Sequence, residues 1–154
     1  MNNKSRSNVV YIAGPISGTT DYMERFKQAE DQLREAGYTP VNPTIVSETL
    51  LAAGCKYEEF MRVTHELLKV CGAILLLFEW ESSKGALREL KYALDVYCET
   101  SETFCLPITC PNCKHYFSVY NYNGKRKMKI SYCPSCGASL FPEGSEANEA
   151  NIST

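Results

Sequence analysis

No stretch of this 154-residue chain stays apolar long enough to cross a membrane. The longest apolar run is AILLLF, Ala73 to Phe78, far short of the ~20 residues a span needs. The opening segment MNNKSRSN is polar and holds no apolar signal core, so a cytoplasmic protein is expected. No internal repeat is visible. Histidine is scarce, with two residues, and neither pairs recognisably with a cysteine. Cys55, Cys71, Cys98 and Cys105, scattered through apolar or helical surroundings, therefore read as small buried hydrophobes rather than nucleophiles. Acidic residues are missing altogether between 110 and 140.

That last absence divides the chain. Residues 1–109 carry 11 basic and 15 acidic side chains, residues 110–140 carry 5 basic and none acidic, and residues 141–154 carry 3 acidic and none basic. The basic block also holds two CxxC pairs. The division predicts an α/β domain over 1–109, a zinc ribbon over 110–141 and a disordered acidic tail over 142–154, where little can be buried.

The first block alternates two periodicities. VVYIA and AILLLF are continuous apolar strands of the kind buried on both faces. DYMERFKQAEDQLREAGY places Tyr22, Phe26, Ala29 and Leu33 at helical spacing, and Gly37 ends that helix. YTPVNP reads as a short strand, followed by a loop. YEEFMRVTHELLKV carries Phe60, Thr64, Leu67, Leu68 and Cys71 on one side, and KGALRELKYALDVY carries Leu87, Leu90, Leu94 and Tyr97 along a stripe. TFCLPI reads as one more strand. Strands alternating with helices imply a parallel sheet flanked by helices. Ligands of such sheets bind beyond the carboxyl ends of the strands. Three loops qualify: GPISG at 14–18, Asn42-Pro43, and EWESSKG at 79–85. Gly14, Pro15, Ser17 and Gly18 offer close backbone approach and a hydroxyl. The following helix turns its amides to the same space, which favours an anion. A plain strand-to-helix turn explains the same residues.

Four motifs in order, YIAGPISG, AGYTPVNP, YEEFMR and CGAILLLFEWESSKGALREL, resemble the nucleoside 2-deoxyribosyltransferase-like superfamily, most closely its small phage and bacterial branch. The resemblance covers roughly residues 8–98. It implies a flavodoxin-like α/β domain, often a homodimer or higher homo-oligomer, acting on the N-glycosidic bond of deoxynucleosides or their monophosphates. Glu89 matches the family's nucleophile and Tyr11 the tyrosine that orients it. A carboxylate below the sugar can stabilise or trap the oxocarbenium-like character that develops at C1′. The residues alone allow a second reading, in which Glu89 is a solvated helix carboxylate paired with Arg88 or Lys84 and Tyr11 is a core tyrosine. Ser83 matches the nucleotide-cleaving branch, where relatives that take free nucleosides have an aspartate. With Lys84 and Gly85 it suits a 5′-phosphate, and it is equally an ordinary helix cap. Two positions depart from the family: Thr64 and Gly72 stand where relatives have aspartates. Thr64 cannot act as a general acid. His65, Glu79 and Glu81 are the alternative acids.

The strongest motif is Cys110-x2-Cys113, nineteen residues, then Cys133-x2-Cys136, the spacing of a four-cysteine site for structural Zn2+. Between the pairs a hairpin is expected over 114–132, turning at Asn123-Gly124. Lys125, Arg126, Lys127 and Lys129 follow that turn; His115, Tyr116, Phe117, Tyr120 and Tyr122 precede it. Such a hairpin can bind nucleic acid through phosphate contacts and stacked bases, or its aromatics can cover the ribbon's own small core. The expected activity is cleavage or transfer at the N-glycosidic bond of a nucleoside monophosphate. The rival is a nucleotide sensor without turnover whose ribbon engages nucleic acid or a protein.

Overall fold

The computed structural model describes residues 8–97, 104–121 and 131–140. The Asn123-Gly124 turn, the four basic residues after it and the acidic tail lie outside the described residues.

Five strands form one sheet: β1 (Val9–Ala13), β2 (Thr39–Val41), β3 (Ala73–Leu76), β4 (Phe104–Thr109) and β5 (Tyr116–Asn121). Their order is β2-β1-β3-β5-β4. β1 pairs in parallel with β2 and β3, with Tyr11 opposite Val41 on one side and Ile74 on the other. The expected α/β class is present. β5, however, runs antiparallel to both β3 and β4. β4 thus points the same way as β3 but is held away from it by β5. The charge step near Thr109 falls at the turn between two paired strands of this sheet.

Alternation along the strands sorts the core. Val10, Ile12, Leu75, Phe117 and Val119 pack with Phe26, Ala29 and Leu33 of α1 (Tyr22–Glu35) and with Cys110 and Cys133. Tyr11, Ala13, Ile74 and Leu76 face the other way, toward α3 (Tyr57–Lys69) and α4 (Lys84–Tyr97). Gly37, at φ +88°, closes α1 where expected: its amide bonds Arg34 and the next amide, Tyr38, bonds Leu33.

The segment expected to be a loop after Asn42-Pro43 forms α2 (Thr44–Ala52). Its start is β-branched and no apolar stripe marks it, since only Thr44 and Ser47 are buried. It is launched by Asn42, whose side-chain oxygen accepts from the Thr44 amide at 3.0 Å and hydroxyl at 2.7 Å. α4 also differs from expectation, because its buried line is Ala86, Glu89, Leu90 and Ala93, while Leu87 is 42% exposed. Two alanines let this side lie close to the sheet, and the larger leucine is turned out. Among the described residues no helix is long and apolar enough to cross a membrane.

Candidate active site and metal centre

β1 and α4 bring Tyr11 and Glu89 together. Tyr11 is wholly buried and Glu89 keeps 6% of its surface. The Tyr11 hydroxyl donates to Oε1 of Glu89 at 2.6 Å, within the range of charge-assisted O–H···O⁻ bonds. Burial pushes the Glu89 carboxyl up to about 7, against the Tyr11 hydrogen bond and the neighbouring Thr64 hydroxyl, which pull it down. Burial and the adjacent carboxylate hold the Tyr11 hydroxyl well above its ordinary value, so it remains the donor. Thr64, also wholly buried, stands beside the pair and gives its hydroxyl to the Met61 carbonyl at 3.1 Å. Arg88 does not pair with Glu89. It forks onto Glu58 at 2.9 and 3.0 Å and lies over the Tyr57 ring.

The loops beyond the strands hold the remaining candidates. Gly14 is buried, and a Cβ there would come within 3.0 Å of the Leu77 Cβ. Its lack of a side chain is thus explained by strand packing. Pro15 is buried, and Ser17 and Gly18 are exposed, with Gly18 at φ +80°. Ser83 Oγ accepts from the Ala86 amide at 3.2 Å, so it caps α4, whose first residues are Lys84 and Gly85. Lys84 is exposed. Asn42 is committed to the fold: besides starting α2, it donates to Glu30 at 3.0 Å.

The alternative acids have other partners. His65 stacks on Tyr92 with ring centroids 4.1 Å apart, its Nε2 is buried without a hydrogen-bond partner among the described residues, and burial lowers its pKa. Glu79 lies 3.7 Å from Arg25, and Glu81 accepts from the Tyr116 hydroxyl. Trp80 was not singled out from the sequence. It packs on the core side that holds Tyr11 and Leu90, with its indole N–H buried and without a hydrogen-bond partner among the described residues. No spacing signals it, because it sits in a 3-10 turn, Trp80–Ser82, that follows no amphipathic period. On the opposite side a cleft of about 260 Å³ opens between α1 and the cysteine segments, lined by Asp21, Arg25, Leu77, Phe78, His115 and Pro134 among others.

The four cysteines converge. Their sulfurs all lie within 4.8 Å of one another, with Cys110–Cys136 at 3.6 Å and Cys113–Cys133 at 3.7 Å. A tetrahedral ion with metal–sulfur bonds of about 2.3 Å calls for sulfur edges of about 3.8 Å. The two segments repeat one knuckle. In each, the first cysteine's amide bonds the carbonyl five residues on (His115, Ala138), and the residue after the second cysteine donates back to the first cysteine's carbonyl. That residue is left-handed both times, Lys114 at φ 62° and Gly137 at φ 73°. The Ser135 amide and the Asn112 side chain approach Cys133 and Cys136 sulfurs at 3.4 and 3.6 Å. Four gathered thiols with N–H donors aimed at their sulfurs suit a thiophilic cation, and no disulfide joins them.

Comparison with curated proteins and with solved structures gives no match. One family model does match, over residues 8–100, more than half of the chain, and it ends just before the cysteine segments. It spans Tyr11, Thr64 and Glu89 alike. The chain belongs to the family described as a domain of unknown function, DUF4406.

Proposed function

We propose that the protein cleaves or transfers at the N-glycosidic bond of a nucleoside 5′-monophosphate, with Glu89 as nucleophile and Tyr11 as its positioning partner. The observation that carries this reading is the buried 2.6 Å bond from Tyr11 to Glu89. A carboxyl taken from water, raised to about 7 and fixed by one donor is poised as a nucleophile and is costly as a mere core residue. Attack of the carboxylate on C1′ forms a glycosyl ester while the C1′–N electron pair leaves with the base, which takes a proton from solvent. Water or a second base then displaces Glu89. The resemblance to deoxyribosyltransferases supports the same assignment. Ser83 and Lys84 at the start of α4, together with Ser17 and Gly18 of the loop after β1, are the proposed 5′-phosphate contacts.

The four cysteines are proposed to hold one structural Zn2+, since the sulfur geometry leaves no open position. Thr64 favours a second reading, a nucleotide sensor: this wholly buried residue beside the pair offers no acid to the leaving base. A screen of ribo- and deoxynucleoside monophosphates for free-base release decides between the two. Release by the parent and none by Glu89→Gln is expected. Nucleotide binding without release by the parent sinks the enzyme and leaves the sensor.

A further inference from the structure

We propose that His115 and Tyr116, held by the first cysteine knuckle, are positioning residues for the loop between β3 and α4, so that metal occupancy shapes the loop that leads into the helix carrying Glu89. Its catalytic consequence rests on the function proposed above; the mechanical coupling does not.

The loop after β3 makes its own turn bonds, from Trp80 to Leu77 and from Ser82 to Glu79, yet it carries two unfavourable features. Glu79 adopts φ 66°, a left-handed conformation costing about 1 kcal/mol for a residue with a Cβ. The Trp80 indole N–H is buried without a hydrogen-bond partner among the described residues, which is also unfavourable. Such a segment persists where its surroundings over-determine it. Arg25 of α1 lies beside Glu79 and the core receives Trp80, and the knuckle supplies the remaining contacts. The Phe78 ring stacks on His115 at 4.1 Å and 3° and meets Tyr116 edge-on at 5.5 Å and 79°. The Tyr116 hydroxyl bonds Glu81, three residues after Phe78 along the loop's path. Both residues that grip the loop are set by the cysteines, because the His115 carbonyl receives the Cys110 amide at 2.9 Å and Lys114 makes the left-handed turn just before it. The far end of the loop is Ser83, the cap of α4, and Glu89 lies on that helix. A chain of direct contacts therefore leads from the metal ligands to the helix that carries the nucleophile. Without a cation, the two knuckles keep their backbone bonds but lose the shared ion that ties one to the other, and the grip on Phe78 and Glu81 slackens.

Trp80 is the only tryptophan, and it sits inside this loop, so its emission reports the coupling without a substrate. The full chain is compared metal-loaded, after chelation under reducing conditions, and as metal-loaded His115→Ala, His115→Phe and Tyr116→Phe. Metal content and far-ultraviolet dichroism are measured on each. Expected is a red shift of Trp80 emission and a several-fold rise in acrylamide quenching on chelation. His115→Ala is expected to show the same shift with its metal still bound. His115→Phe, which keeps a ring against Phe78, should restore the parent spectrum. Tyr116→Phe loses one surface hydroxyl and should raise quenching while keeping metal and fold. Parental emission and quenching in either metal-loaded His115→Ala or Tyr116→Phe overturns the proposal, and global unfolding on chelation does not affect those two arms. Base release is read in parallel. Its absence from the parent defeats the proposed activity and leaves the fluorescence result standing.

Discussion

Arg88 and Glu89 are sequence neighbours with opposite fates: Arg88 forks onto Glu58 at the surface, while Glu89 is buried against the Tyr11 hydroxyl. One helical step of about 100° separates a solvated ion pair from a carboxyl near neutrality. The first exchanges one polar surrounding for another. The second has left water with a single hydroxyl donor and the nearby Thr64.

Glu89 should make stability fall with rising pH. Its folded pKa of about 7 lies above the ordinary unfolded value. Between the two, the folded state keeps a proton that the unfolded state has lost, so stability declines through that window and is flat above it. Below the unfolded value both states are protonated and the penalty vanishes. Glu89→Gln should match the parent near pH 4 and exceed it by about 3 kcal/mol at pH 8. Urea midpoints across that range check this. An unchanged pH slope in Glu89→Gln would show that the carboxyl is not buried as described. If the proposed chemistry holds, base release by the parent should climb as pH passes about 7, because the ionised carboxyl attacks.

Metal removal should weaken the whole domain. Cys110 and Cys133 share a core with α1, β1 and β3, and β5 lies within the main sheet. Purified protein should contain one metal ion per chain, and Cys110→Ser should lose it. Thermal unfolding of that variant should remain a single transition at lower temperature. Two separate transitions in the parent would mean that the cysteine segments fold apart from the α/β core.

The two knuckles offer a matched pair of substitutions. Gly137→Ala puts a Cβ on a left-handed residue, 3.1 Å from the Gln32 amide. It should cost about 1–2 kcal/mol. Lys114→Gly relieves the same conformation at the equivalent place and should be neutral or stabilising by up to about 1 kcal/mol. Denaturant titration of the metal-loaded variants tests both. Equal effects of the same sign would contradict the shared geometry.

Ser83→Asp separates capping from phosphate binding. Aspartate caps a helix about as well as serine, so thermal stability should stay within about 0.5 kcal/mol of the parent. A carboxylate facing a 5′-phosphate should weaken monophosphate binding at least tenfold, about 1.4 kcal/mol, and spare the free nucleoside. Calorimetric titration of the two ligands reads the difference. Parallel losses for both would place the phosphate elsewhere.

Where local chemistry sufficed, the sequence by itself determined the result. Continuous apolar runs made β1 and β3, the Phe26–Ala29–Leu33 spacing made α1, Gly37 stopped it, Ser83 capped α4, and paired CxxC motifs gathered four sulfurs. Each depends on neighbours a few residues apart or, for the cysteines, on two rigid copies of one turn. Tertiary structure decided what depends on partners far along the chain. α2 follows a turn in which the Asn42 side chain accepts from Thr44, at the start of a segment without an amphipathic signal. The leucines of α4 suggested one buried stripe, yet the close approach of the helix to the sheet selected Ala86, Glu89, Leu90 and Ala93. That choice put Glu89 against Tyr11, 78 positions away. The antiparallel insertion of β5 between β3 and β4 is of the same kind. Charge and spacing divided the chain at the cysteines, but hydrogen bonding along both edges of β5 joined the two parts in one sheet, because an open strand edge beside a buried apolar strand leaves polar backbone groups unsatisfied.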